Sequence, residues 1–189
     1  MAYYYLSDLH LCHKQIALRR GFPSTWAHDQ ALLDGLRQRV TPNDTLFLLG
    51  DLFAYTFDRS ILEQLSGVSH SMVLILGNHE TQHWLKKADS RLLCCAFSDI
   101  LPSAQIIDEE RSVWLCHEPC PDLAADGDYL LHGHLHLAPP RREDWRRLCL
   151  QKNILNVGAD LSHYVSGKFI PATLDEWNFF NEVWKADMF

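Results

Sequence analysis

The first part of the chain alternates short apolar runs with stretches of helical periodicity. Tyr3-Tyr4-Tyr5-Leu6, Leu46-Phe47-Leu48-Leu49 and Met72-Val73-Leu74-Ile75-Leu76 are strand-length and carry no charge, the pattern of buried strands. After the first run, Leu32, Leu36 and Val40 recur at four-residue spacing with Leu33 beside them, and Ser24 or Thr25 supplies a cap. Pro42-Asn43-Asp44 ends that helix. A looser helix follows Asp58, with Ile61, Leu62 and Leu65 on one side. The predicted order is a repeated β-α-β.

Beyond Asn78 and His79 the character changes to mostly strand. A helical stretch through Trp84, Leu85 and Leu92 precedes shorter strands around 104–107, 112–116, 128–131 and 154–157. The segment from Pro139 to Arg147, with Arg141, Arg142, Arg146 and Arg147, interrupts them and reads as a surface loop or hairpin. Thr173 and Glu176 form a capping box, and Trp177, Phe180, Val183 and Trp184 give the last helix an apolar stripe that docks on a sheet.

Polar residues stand just after the predicted strands. Asp8 and His10 follow the first run, Asp51 the second, and Asn78 and His79 the third; His117 ends Val113-Trp114-Leu115-Cys116, and His134 and His136 follow Tyr129-Leu130-Leu131-His132-Gly133. The carboxyl ends of strands are where open α/β sheets hold their ligands. Two divalent cations about 3.5–4 Å apart need a bridging anion with oxygen and imidazole ligands on either side. Asp51 is the expected bridge. Asp8, His10 and His136 complete one site, and Asn78, His117 and His134 the other. A water held between two cations is deprotonated near neutral pH and can attack phosphorus in line, so no covalent enzyme intermediate is required. His79, next to a ligand but with its own ring free, is the expected general acid. Arg19 and Arg20, which follow the first motif, are a candidate pair for substrate phosphate, and His13 lies close enough to the ligands for a supporting or substrate contact. His132 lies close enough to the ligands for a supporting contact, while His28, His70, His83 and His163 lack a strand-end placement and read as ordinary residues.

Composition narrows the partners. With 189 residues, 47% hydrophobic and 22% charged, residues 1–189 are expected to form one domain. Lys plus Arg count 17 against 24 Asp plus Glu, a net charge of −7, which argues against indiscriminate binding to nucleic acid or anionic membrane. The apolar runs are far shorter than the ~20 residues of a spanning helix, and Met1-Ala2-Tyr3 leads straight into a strand. The expected location is cytoplasmic. Six cysteines show no Cys-x-x-Cys pair and read as packed, reduced thiols. Imidazole and carboxylate donors suit manganese, iron, zinc or nickel, with manganese favoured.

The ordered set Asp8-Leu9-His10, Gly50-Asp51, Gly77-Asn78-His79-Glu80, His117 and Gly133-His134-Leu135-His136 resembles the calcineurin-like metallophosphoesterase superfamily. The resemblance implies an α/β fold, a four-layer α-β-β-α sandwich of two mixed sheets flanked by helices, that hydrolyses phosphate esters. Arg20-Gly21-Phe22-Pro23-Ser24 and Asn156-Val157-Gly158-Ala159-Asp160 look like the small single-domain bacterial and phage members. Ala54 and Tyr55 stand where protein Ser/Thr phosphatases carry Asp and Arg, and His79 stands where the UDP-diacylglucosamine pyrophosphohydrolases carry Arg. The expected substrate is a small phosphorylated molecule, mono- or diester, or a nucleotide. A scaffold that keeps the metal pocket without turnover, and a nuclease acting on short nucleic acids through the arginines of 141–147, are the competing readings. Oligomeric state is not set by the sequence.

Overall fold

The three charge-free runs become neighbouring strands. In the computed structural model, which describes residues 1–120, 123, 128–137 and 143–188, β1 (Tyr3–Leu6), β2 (Thr45–Leu49), β3 (Ser71–Ile75) and β4 (Asp99–Leu101) form one sheet in the order β1-β2-β3-β4. All these pairings are parallel, and an antiparallel bridge from Tyr5 to Ala172 supplies the opposite direction at the β1 edge. Every residue of β2 is buried, as expected of a parallel strand covered on both faces.

The second sheet holds β5 (Ala104–Asp108), β6 (Arg111–Leu115), β7 (Tyr129–His132) and β8 (Ile154–Asn156) in that order, with β5 antiparallel to β6 and the other pairs parallel. The β5–β6 turn is Glu109-Glu110, both at positive φ (47° and 68°). A two-residue hairpin needs that hand of turn even without Asn or Gly. The sheets join edge to edge where Ser7, just beyond β1, bridges Gly158, just beyond β8. One apolar cluster spans both sheets, from Leu6, Leu48 and Leu74 to Leu115, Leu131 and Leu155. Each such buried leucine contributes roughly 1.5–3 kcal/mol over leaving it exposed.

Helices flank this α/β sandwich: α1 (Lys14–Arg19), α2 (Thr25–Arg39), α3 (Arg59–Ser66), α4 (Ser90–Ala96), α5 (Glu143–Cys149), α6 (Ala159–Ser166) and α7 (Leu174–Met188). Ser24 caps α2 and Asp58 caps α3 through side-chain hydrogen bonds. The α7 start carries half of the expected capping box, with Glu176 accepting from the Thr173 amide at 2.9 Å. That helix docks as anticipated: the Trp177 indole donates to Tyr5 O at 3.0 Å, and Asn181 exchanges hydrogen bonds with the Asn156 backbone at 2.8 and 2.9 Å.

Several elements differ from the expectations. The stretch after His79 is not one helix but a five-residue π-turn (Glu80–Trp84), a 3-10 turn (Leu85–Lys87) and then α4. The end of the segment read as a loop or hairpin is helical, with Arg147 donating to Glu143 one turn earlier at 3.1 Å and Cys149 buried beneath it; Pro139, Pro140, Arg141 and Arg142 lie outside the described residues. Among the described residues, no helix is long and apolar enough to cross a membrane.

Gly35 marks a close approach of α2 to the strap before α7, since a Cβ there would stand 1.9 Å from the Phe169 carbonyl oxygen. Gly35→Ala is therefore expected to destabilise the protein by about 1–3 kcal/mol, overriding alanine's higher helix propensity. Thermal unfolding checks this; an unchanged or higher melting temperature would mean that the Phe169 segment yields at no cost.

Candidate metal centre

The loops that leave the strands keep pairing with one another past the ends of the sheets. Asp8 N donates to Gly50 O at 3.1 Å, His10 N to Asp51 O at 2.9 Å and Gly133 N to His117 O at 2.9 Å. Along these loops the backbone turns left-handed at alternate residues: Asp8, His10 and Cys12 (φ 59°, 50°, 62°), Asp51 (53°), and His134 and His136 (69°, 51°). Non-glycine residues in that region cost about 1–3 kcal/mol each, and such strain concentrates at functional sites. Five of the six are the predicted ligands.

The side chains converge in three overlapping groups whose donor atoms lie within 4.8 Å of one another: Asp8, His10 and His136; His10, Asp51 and His79; Asp51, His117 and His134. Asp51 belongs to two of them. Its Oδ2 faces His10 Nε2 and His79 Nε2, each at 3.8 Å, and its Oδ1 faces His117 Nε2 at 3.4 Å. Asn78 Oδ1 is 3.1 Å from the same His117 nitrogen, and His134 Nδ1 is 3.3 Å from it. Two ligands about 2.1 Å from a shared ion stand about 3.0–3.4 Å apart, so the spacing suits coordination. Both ring nitrogens of His10 and Nδ1 of His79 are buried with no hydrogen-bond partner. Buried polar atoms are otherwise paired, and a cation would satisfy the lone pair of His10. The donor set of imidazole, carboxylate and amide fits divalent cations, and the groups contain no thiol among the described residues.

Two of the candidate ligand rings are aimed by their other nitrogens. His117 Nδ1 donates to Leu49 O at 2.8 Å, which turns Nε2 to the pocket. His136 Nδ1 meets Asp160 Oδ2 at 2.5 Å. Glycines make room: a Cβ at Gly50 (φ 80°) would strike the His117 ring, and one at Gly133 would strike Ser7 and Asp8. Glu80 is fully buried and accepts from the amides of Asp51, Leu52 and Gly77 at 2.8, 2.8 and 2.9 Å and from the Trp84 indole at 3.1 Å. It ties the second and third strand-end loops together.

Charge follows this packing. Burial favours the neutral acid at Asp51, but the hydrogen bond and charge of His117 outweigh it and hold the carboxyl at about 2. Burial opposes charge on His117 as well, yet Asp51 and Asp8 raise it to about 9 in the metal-free protein. At His10 burial prevails and keeps the ring neutral well below its ordinary range.

All seven predicted ligands and His79 thus share one pocket. His13 lies at its rim, with its ring 6.0 Å from that of His10 and 5.8 Å from that of Tyr55, while its Nδ1 caps α1. Arg20 requires correction. Its side chain is 4% exposed and its donors are bonded to Asp160, Asp8 O and Leu9 O, so it braces the ligand loops from behind instead of facing substrate. His132 is fully buried and hydrogen-bonded to Gly133 O, with burial lowering it to about 4. Burial likewise pushes the Cys12 and Cys116 thiols up to about 12, where they are inert. Glu80, Asp160 and Asp29, which accepts from Cys12 N at 3.1 and 3.0 Å, were not marked as supports by the sequence. Glu80 had a signal in its place in the Gly77–Glu80 motif and Asp160 in the Asn156–Asp160 run, whereas Asp29 had none.

The family model for calcineurin-like phosphoesterases matches residues 1–161. A protein of unknown function from Aquifex aeolicus is similar in structure, with a TM-score of 0.67 and 21% identity over 92% of this chain and 96% of that one. The phosphoesterase Yfce from E. coli gives 0.48 at 20% identity, over 84% and 79%, and an archaeal phosphodiesterase gives 0.47 at 13%, over 88% of each. The likeness to the Aquifex protein is one of fold. No curated protein matches the chain.

A cation at this centre must displace the proton that His117 keeps up to about pH 9. A raised pKa stabilises the metal-free fold fully below the unfolded value of about 6.5, and that contribution is lost as pH rises through 9. Metal affinity is therefore expected to climb by up to about tenfold per pH unit as pH rises toward 9, with proton release. Calorimetry in buffers of different ionisation enthalpy reads the protons directly. Manganese uptake that releases none at pH 7.5 would contradict a protonated His117.

Proposed function

Because the chain belongs to the calcineurin-like phosphoesterase family and is a metal-dependent phosphoesterase, we propose that it hydrolyses phosphate mono- or diesters of a small molecule or nucleotide at a two-ion centre. In this reading Asp8, His10 and His136 hold one ion, Asn78, His117 and His134 the other, and Asp51 bridges them. The observation that carries it is Asp51 offering one carboxylate oxygen toward His10 and the other toward His117, at 3.8 and 3.4 Å. When bound, a pair of divalent cations neutralises phosphoryl charge and lowers the pKa of the attacking water; manganese is favoured.

The chain's own groups do the rest. His79 is tethered by its backbone N–H to Asp51 Oδ1 at 3.2 Å, and its ring stands edge-on to Tyr55 at 5.4 Å. Its side chain is 17% exposed and its Nε2 stands 3.8 Å from Asp51 Oδ2, and in this reading it protonates the departing ester oxygen. Tyr55, 58% exposed, and His13 form the rim on the same side and contact the organic part of the substrate. The left-handed loops keep the ligand rings pointing inward before any substrate arrives, so binding costs little reorganisation.

Folded, manganese-loaded protein is expected to turn over bis-p-nitrophenyl phosphate, and no activity from such a sample would favour the non-catalytic scaffold. His79→Gln is expected to lower kcat on alkyl phosphate esters by about 10²–10⁴-fold, with metal content unchanged. Aryl esters should lose far less, since nitrophenolate needs no proton to leave. Equal losses on both ester classes would remove the general acid, and loss of an ion would make His79 a ligand instead.

A further inference from the structure

We propose that Arg20 and Asp160 are positioning residues dedicated to one ion of the pair, so that the two metal sites have separate supports and can be weakened separately. The inference rests on the two-ion reading above.

Two ligands assigned to the same ion, Asp8 and His136, are reached from one buried ion pair. Asp160 Oδ2 meets His136 Nδ1 at 2.5 Å, which leaves Nε2 for the pocket. A carboxylate on the far nitrogen of a metal-binding imidazole sets both ring orientation and basicity. Arg20 grips that carboxylate as a fork, from Nε to Oδ1 at 2.8 Å and from Nη2 to Oδ2 at 3.0 Å. The same guanidinium donates to Asp8 O at 2.7 Å and Leu9 O at 2.9 Å.

Arg20 Nη1 also lies 3.0 Å from His28 Nε2, and His28 Nδ1 donates to Asp29 Oδ1 at 2.8 Å. Asp29 in turn receives Cys12 N. The left-handed loop is thus fastened on both sides of His10: at Asp8 and Leu9 by Arg20, and at Cys12 by Asp29. Asp8, His136 and the loop that carries His10 are held from the end of α1, from α2 and from α6.

The other ion's ligands are fastened differently. His117 is aimed by the Leu49 carbonyl, and the amides of Asp51 and Gly77, either side of the second and third loops, are held by Glu80. Among the described residues, no hydrogen bond of Arg20 or Asp160 reaches Asn78, His117 or His134. A lysine at position 20 could not reproduce the fork, because an ammonium is a point charge with three donors.

The test is a two-site calorimetric titration of the whole chain with Mn²⁺, on wild type, Asp160→Asn, Asp160→Ala and Arg20→Lys. The melting temperature of each metal-free sample and the imidazole ¹⁵N spectrum of His136 are recorded alongside. Asp160→Ala is expected to weaken one ion by about 10–100-fold and to shift the His136 nitrogens, while the other ion stays within about twofold. Asp160→Asn and Arg20→Lys should affect the same ion to a smaller degree. Variants that keep the wild-type affinity for both ions, or weaken both equally, overturn the proposal. If Asp160→Ala does not fold, Arg20→Lys decides: selective weakening supports the inference and its absence refutes it. A wild type that takes up a single ion removes the two-ion reading, and the support role then stands or falls on whether the variants weaken that one ion.

Discussion

The carboxylate of Asp51 is buried where the loops of the two sheets meet, and the pocket is organised around keeping it charged. A carboxylate taken out of water is costly unless it is paired, and here the compensation comes from several elements at once. His117 faces one oxygen and His10 the other, the His79 amide donates to Oδ1, and Glu80 clamps the amide of Asp51 itself. The neighbouring glycines leave room for this contact, since a Cβ at Gly77 would fall 2.6 Å from Asp51 Oδ1.

That arrangement is expensive locally and stable globally. Left-handed backbone at six non-glycine residues and unpartnered nitrogens on His10 oppose the pocket's geometry. The sandwich around it opposes relaxation, because the loops remain hydrogen-bonded to one another and lie on strands whose side chains are fully enclosed, including Leu6, Leu48 and Leu49. A cation would ease the same conflict from inside, by taking the lone pair of His10 that has no other partner. Stored strain and unmet lone pairs are together what prepares the site for metal and phosphate.

Enclosure is uneven across the centre. Behind Asp8 and His136 stands the charged pair of Arg20 and Asp160; behind His117 stands a main-chain carbonyl. A charge-assisted fork is stronger and more directional than a neutral contact. The two halves of the pocket therefore rest on different kinds of bond, although Asp51 and the contact of His134 N with the Asp8 carboxylate join them.

Much of this was legible in the residues. Charge-free runs such as Leu46–Leu49 announced buried parallel strands, and the polar residue after each announced a site, because strand ends must hand the chain to a loop and cannot bury an idle Asp or His. Short or irregular pieces were not legible: β4 has three residues, α1 is capped by a histidine, and the π-turn at Glu80–Trp84 has no period of its own. Arg20 misled for a related reason. Its position after the first motif is the same whether it faces substrate or folds back, and only the packing of α6 against the first loop brings Asp160 within reach, 140 residues away along the chain. The sequence by itself determined the candidate ligand types, their order and the strands that carry them, since these depend on chemistry and local period. Tertiary structure alone decided which nitrogen of each histidine faces inward and which charges stand behind it, because those depend on partners that no local pattern encodes.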